Sequence, residues 1–198
     1  MRLYELTRKH GSLLIIDDIQ VGCGRTGSFF SFENLGFLPD LICLSKSLSA
    51  YGLPMSLLLI KPENDIWSPG EHNGTFRGNN LAFIAATEGL NFWRDKNFEE
   101  SIKEKSVLFD KLLSDSVSKI KNIAVLKGRG MIRGIEFTDN RVARNISVAC
   151  FNNGLILETA GPEDQVIKLL PPLNIEDKNL EKGMSVLSQC IKEVVASI

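Results

Sequence analysis

Two apolar, strand-like runs end in groups that could do chemistry. Ser12 to Asp17, SLLIID, closes on a carboxylate, and Leu41-Ile42-Cys43-Leu44 is followed by Ser45 and then by the amine of Lys46. Short continuous apolar runs are expected of strands covered on both faces, as in a parallel sheet. Neighbouring parallel strands would deliver both groups to one edge of the sheet, where the sites of α/β folds lie. Taken singly, Asp17 reads as a helix cap or ion-pair partner and Lys46 as a solvated cation. Together they suit pyridoxal 5'-phosphate, whose ring nitrogen needs a carboxylate to stay protonated and whose aldehyde needs a lysine.

A competing reading comes from residues 15–27, IIDDIQVGCGRTG, which contain G-x-G-x-x-G at Gly22, Gly24 and Gly27. A dinucleotide turn requires a helix opening on the pyrophosphate and an acidic residue at the end of the next strand. After Gly27 comes SFFSFENLG, crowded with phenylalanines and too short for such a helix, and the next strand ends in Leu44 and Ser45. Asp40 precedes that strand, at the wrong end to hold a ribose. The nucleotide reading is therefore set aside, and the glycines are read as the turn that follows a strand.

The elements that must position these groups follow from periodicity. Leu3 and Leu6, then Arg8-Lys9-His10 and Gly11, read as the last turns of a helix. A third strand is expected from Met55 to Ile60, after the turn Tyr51-Gly52-Leu53-Pro54. Residues 61–80, KPENDIWSPGEHNGTFRGNN, form a loop of the length that usually carries function. Leu81 to Trp93 reads as a buried, alanine-containing helix. Phe98 to Lys119 reads as an amphipathic one with Ile102, Leu108, Phe109, Leu112 and Leu113 on one side. Short strands follow at IAVLKGRG, MIRGIEF, Leu155 to Leu157 and Val166 to Leu169, with a helix from Arg141 to Asn152. A final helix from Glu176 to Ile198 carries Leu180, Met184, Leu187 and Ile191 at helical spacing. The domain boundary is expected near residues 115–122, giving 1–118 and 119–198.

Composition excludes several functions. At 198 residues the chain can bury a core, and its net charge of −1 with interspersed signs leaves no footprint for nucleic acid or an anionic membrane. Four separated cysteines and two histidines leave little for a zinc site, so no metal is expected. Free thiols, no apolar run of membrane-spanning length and no signal-peptide core make a cytoplasmic location the expectation.

The motifs D-D-I-Q-x-G-x-G-R-T-G, P-D-L-I-C-L-S-K-S-L-S and H-N-G-T-F-R-G-N-N together resemble the class III aminotransferases of fold type I. The resemblance covers essentially the whole chain but only the C-terminal part of the family's sequence, so a complete member would carry a long region before Met1. It implies an α/β architecture: residues 1–118 as the C-terminal part of a cofactor-binding large domain, built on a mostly parallel sheet with helices, and residues 119–198 as a small α+β C-terminal domain.

The resemblance also implies roles. Lys46 matches the lysine that holds pyridoxal 5'-phosphate and shuttles the substrate proton. Asp17 matches the partner of the ring nitrogen, Gln20 the residue near the phenolic oxygen, and Thr75 the threonine sent to the phosphate of a neighbouring subunit's cofactor. Asp18 is then structural. Lys168, in V-I-K-L-L-P-P-L, stands where many relatives have an arginine that grips a substrate carboxylate. Lysine is a point charge and cannot reproduce that bidentate fork, so Arg77, where many relatives have glycine, or Arg129 is a candidate to assist. The implied activity is amino transfer between amino acids and oxo acids in a homo-oligomer. The alternatives are a non-catalytic association module of such an enzyme, or an ornithine- or GABA-type transaminase.

Overall fold

The computed structural model describes residues 1–50, 52–118, 120 and 122–197. The chain divides into two compact units, Met1–Glu99 and Glu100–Ile198. This boundary falls earlier than the expected 118/119, because most of the long helix Lys96–Val117 groups with the second unit rather than closing the first. Tyr51 of the expected turn, Lys119 at the expected boundary and Ile198 at the expected end of the last helix lie outside the described residues.

The first unit opens with α1 (Arg2–Lys9) and a sheet of β1 (Ile15–Asp17), β2 (Leu41–Ser45) and β3 (Ser56–Ile60), in the order β1-β2-β3. The β1 and β2 strands pair in parallel, with Ile15 opposite Leu41 and Asp17 opposite Cys43. The β3 strand is antiparallel to β2, from Leu41 opposite Ile60 to Ser45 opposite Ser56. A parallel return needs a crossover of a dozen residues or more, and the stretch from Lys46 to Met55 is too short for one. Cys23, Leu44 and Leu48 form a buried cluster with Phe29, Phe30, Ile42 and Met55 packed against it. The phenylalanines of residues 28–37 build an aromatic chain instead of a helix: Phe30 stacks on Phe32 at 5.4 Å and Phe29 meets Trp93 edge-on at 5.1 Å.

Asp40 clasps the start of β2. It is 3% exposed, accepts the Leu14 N–H at 2.7 Å, pairs with Lys61 at 3.3 Å and is also held by the Arg8 guanidinium. The Arg8 hydrogen bond is the main reason that its carboxyl sits at about 2, below the usual value. Asp40 is thus a structural anchor among α1, β1 and the end of β3.

The helix α2 (Asn80–Asn91) starts at a genuine cap, since the Asn79 side chain accepts the N–H groups of Leu81 and Ala82. It was expected to be buried, yet Ala82 and Ala86 alone among its residues are buried while Leu81 and Ile84 are exposed.

In the second unit, α3 (Lys96–Val117) buries Ile102, Phe109, Leu113 and Val117 on one stripe. The strands β4 (Ala124–Arg129), β5 (Ile132–Phe137), β6 (Glu158–Ala160) and β7 (Val166–Leu169) make an antiparallel sheet in the order β4-β5-β7-β6. The helices α4 (Asn140–Asn152) and α5 (Asp177–Ala196) pack against each other, α4 through Val142, Ala143, Ile146 and Cys150, α5 through Leu180, Met184, Leu187 and Ile191 among others. With Met131, Ile135 and Ile167 these residues form a core of buried side chains. The expected strand at Leu155 to Leu157 is displaced to β6. Leu155 is spent closing α4, its N–H bonded to Cys150 O at 2.9 Å, and Leu157 O accepts the Ser147 hydroxyl at 3.3 Å.

Candidate functional site

The parallel pairing of β1 with β2 brings Asp17 and Lys46 to the same edge of the sheet. Asp17 is the last residue of β1, exposed, with its Oδ1 accepting the Ile19 N–H at 3.0 Å. That bond turns the chain sharply away from the strand and leaves the carboxylate at the edge. Lys46 follows β2 directly, opens a turn of 3-10 helix over Lys46–Ser49, and has a positive φ of 49°. A non-glycine residue in that region is uncommon and strained, and such residues cluster at functional sites as well as in turns. The turn is held by Ser49, whose hydroxyl donates to Lys46 O at 3.3 Å, and by the buried Leu48.

The second aspartate has the structural part. Asp18 is 1% exposed, its carboxylate accepts the Ser31 N–H at 2.9 Å and the Ser31 hydroxyl, and its own N–H donates to Cys43 O at 2.9 Å. Gly22 N–H donates back to Asp18 O at 3.0 Å. A Cβ on Gly22 would stand 2.7 Å from Asp18 O, so the chain can pass here only as glycine. Burial, with the Asp18 charge second, pushes the neighbouring Cys23 thiol up to about 11. No helix opens at Gly27: residues 28–32 are bends and turns, and the next helical piece is a single 3-10 turn at Glu33–Leu35. The glycine motif therefore lacks the helix N-terminus that a dinucleotide needs.

An open cleft of about 1030 Å³ lies beside β2 and β3, and Lys46, Thr75 and Arg77 all line it. Thr75 is exposed in the loop before α2, next to Phe76, which is 98% exposed. Arg77 lies folded across Gly74 and donates to His72 O. Ser45, Ser49, His72 and Asn79 share the lining. Of these, Asn79 carried a readable signal, a cap residue before an apolar run; Ser49 and His72 carried none. Asp17 and Gln20 do not line the cleft. Gln20 is half-buried in the turn after β1.

An amine, a hydroxyl and a guanidinium around one opening, with a carboxylate at the adjoining strand end, is a donor set that fits a phosphorylated pyridine aldehyde. An amine can meet an aldehyde, a hydroxyl and a guanidinium can meet anionic oxygens, and a carboxylate can meet a ring N–H.

Lys168 belongs to the second unit. It stands in β7 opposite Glu158 and Gly134, and its Nζ is 3.3 Å from Glu158 Oε2. It lines a mainly apolar pocket of about 400 Å³ with Leu157, Pro171, Pro172 and Met184. Arg129 ends β4 and is exposed. Among the described residues no group of three or more His, Cys, Asp or Glu could hold a metal ion, and no helix is long and apolar enough to cross a membrane.

Residues 1–191 match the family described as aminotransferase class-III. The chain is 53% identical over 192 residues to the diaminobutyrate–2-oxoglutarate transaminase of Oceanobacillus iheyensis, covering 96% of this chain and 45% of that protein. Among solved structures, the ornithine aminotransferase of Toxoplasma gondii ME49 superposes with a TM-score of 0.90 at 28% identity, over 100% of this chain and 47% of that one. A further structure of the Toxoplasma gondii enzyme, with a TM-score of 0.89 at 28% identity over 99% of this chain and 47% of that one, is described as having partial occupancy of PLP at its active site. The chain spans about half the length of the curated relatives that it matches.

Proposed function

Because the chain belongs to the class-III aminotransferases, we propose that its Lys46 cleft takes part in holding pyridoxal 5'-phosphate and in moving an amino group between an amino acid and an oxo acid. The observation that carries this reading is that Lys46 and, from a loop distant in sequence, Thr75 and Arg77 line one open cleft at the end of β2. The cofactor, when bound, supplies a protonated ring that withdraws electrons from the substrate's α-carbon and so acidifies its proton.

The chain's own residues do the rest. Lys46 Nζ would hold the cofactor through its aldehyde and, when free, would take the substrate's α-proton and move it to the former aldehyde carbon. Asp17 keeps the proton on the ring nitrogen, and Gln20 hydrogen-bonds the phenolic oxygen. The Thr75 hydroxyl serves the phosphate, and within a homo-oligomer that phosphate is the one held by a neighbouring copy. Arg77 and Lys168 are assigned to substrate carboxylates, Lys168 as a single charge already shared with Glu158.

The relatives' name supports one reaction above others: L-glutamate and L-aspartate 4-semialdehyde give 2-oxoglutarate and L-2,4-diaminobutyrate, the amino transfer of ectoine biosynthesis. The amino group lost by glutamate is the one gained at the aldehyde carbon; water supplies the oxo oxygen of 2-oxoglutarate, and the aldehyde oxygen leaves as water. Cytoplasmic action is part of the proposal and is consistent with the free thiols of Cys23, Cys43, Cys150 and Cys190.

A second reading, an association module without activity of its own, is favoured by the exposure of Lys46 and by the half-length match. Adding pyridoxal 5'-phosphate to the purified chain separates the two. The catalytic reading expects a visible absorption band that Lys46→Ala abolishes; a folded chain without such a band leaves the module. Tight binding of a nicotinamide dinucleotide would overturn both.

A further inference from the structure

The turn that presents Lys46 is strained at both ends. Lys46 opens it at a φ of 49°, and Ala50 closes it at a φ of 61° and a ψ of −65°, its N–H donating to Ser47 O at 3.1 Å. Neither residue is glycine, and a side chain makes such a backbone costly. A conformation of this kind persists only where its surroundings over-determine it. Ser49, donating to Lys46 O, and Leu48, buried with Cys23 and Leu44, hold the turn from within.

The outer wall is α2, which packs on this turn. Its Ala82, Ala86 and Gly89 stand at i, i+4 and i+7, on one face of the helix, with Ala82 and Ala86 buried. At Gly89 the approach leaves no room for a side chain. A Cβ there would stand 2.6 Å from the Ala50 Cβ, closer than real Cβ contacts come, and 3.4 Å from the Ala50 Cα, an ordinary van der Waals distance. Gly89 lies in regular helix without a positive φ, so the backbone does not call for glycine, and glycine is a poor helix former. What the position uses is the missing side chain.

We propose that Gly89 and Ala50 are a matched pair that positions Lys46: the bare helix surface at Gly89 seats the Ala50 methyl and thereby locks the turn in the strained form that carries the amine into the cleft. One methyl group belongs between helix and turn; two overfill the space, and none leaves it slack. The turn is the element that yields, because α2 is capped by Asn79 and hydrogen-bonded along its length, whereas the turn has strain to release. The catalytic value of the pair rests on the reading of Lys46 as the cofactor lysine, but its steric fit does not.

The test uses the full chain with Gly89→Ala, with Ala50→Gly, and with both, each checked by circular dichroism for retained helix. Nuclear magnetic resonance reads the turn through the Lys46 Cα shift and HN–Hα coupling, which report its positive φ, and through hydrogen exchange at the residue 50 N–H. Either single variant is expected to move the Lys46 signals and to speed that exchange by about tenfold or more. The double variant, again with one methyl between helix and turn, restores both. With pyridoxal 5'-phosphate added, the pH at which the visible cofactor band titrates should shift in the single variants and return in the double one, a readout that a loss of stability alone does not move. If the parent chain gives no such band, the catalytic reading falls while the backbone signals still decide the pair. Should Gly89→Ala not fold, Ala50→Gly against the double variant makes the same comparison. The proposal is overturned if the Lys46 signals are unchanged in the single variants, or if the double variant departs from the parent by the sum of the two.

Discussion

Asp17 lies directly opposite Cys43 in the parallel pair of β1 and β2, and Lys46 is reached just beyond the end of β2. The carboxylate and the amine are thus carried to one sheet edge by main-chain pairing. Substituting Asp17 should leave the fold intact, because its side chain is exposed and its hydrogen bond is local, to the Ile19 N–H. Asp17→Ala is expected to keep native circular dichroism while cofactor binding, followed by visible absorbance, falls by about 10²-fold or more.

Asp18 should behave in the opposite way. Gly22→Ala drives a methyl group into Asp18 O and is expected to cost about 1–3 kcal/mol, read as a lower urea midpoint. Any loss of cofactor binding should follow the loss of fold, which distinguishes this pair from Asp17.

Asp40 predicts an acid limit for the first unit. Its carboxyl is held at about 2 in the fold against an ordinary 3.8, with the Arg8 hydrogen bond the main cause. A depressed pKa contributes stability that is complete above about pH 4 and disappears as the pH falls toward 2. Near-ultraviolet circular dichroism titrated from pH 5 to 2 should fall through that window. Asp40→Asn should be less stable at pH 7 and lack this part of the acid dependence.

The four thiols should separate by reactivity. Burial lifts Cys150 to about 12 and Cys23 to about 11, and Cys190 is 1% exposed, whereas Cys43 is partly exposed. Under native conditions a disulfide reagent at pH 8 is expected to label Cys43 first, and Cys23, Cys150 and Cys190 only on unfolding. Peptide mapping of the labelled chain checks the order.

The second unit's core offers a control remote from these groups. Leu187 is fully buried in α5, and Leu187→Ala is expected to cost about 2–5 kcal/mol, again measured by urea unfolding.

Much of this arrangement was legible in the sequence where period and punctuation agree. The apolar spacing of α5 left little freedom, and that helix lies where periodicity puts it. The strand ends at Asp17 and Ser45 were equally readable, since polar groups interrupt the apolar runs. Strand direction was not: nothing in SLLLI distinguishes β3 from a parallel strand, and only the short link from Lys46 constrains it. Leu155 misled because an apolar residue after a helix serves closure as well as it serves a strand. The exposure of Leu81 and Ile84 could not be read at all, because a sequence records a side chain's affinity for burial and not whether a covering partner is present. As for the site, the spacing of Lys46 and Thr75 gives no distance, and their shared cleft comes from the loop that returns along β3.

The Asp40 clasp sets an order of events during synthesis. Its partners Arg8, Leu14 and Lys61 lie on both sides of it in sequence. The carboxylate therefore cannot gain all three until Lys61 has emerged from the ribosome, well after Lys46 itself has been made. β2, which leads into Lys46, is thus fully fastened at its start only once a basic residue downstream of it is available.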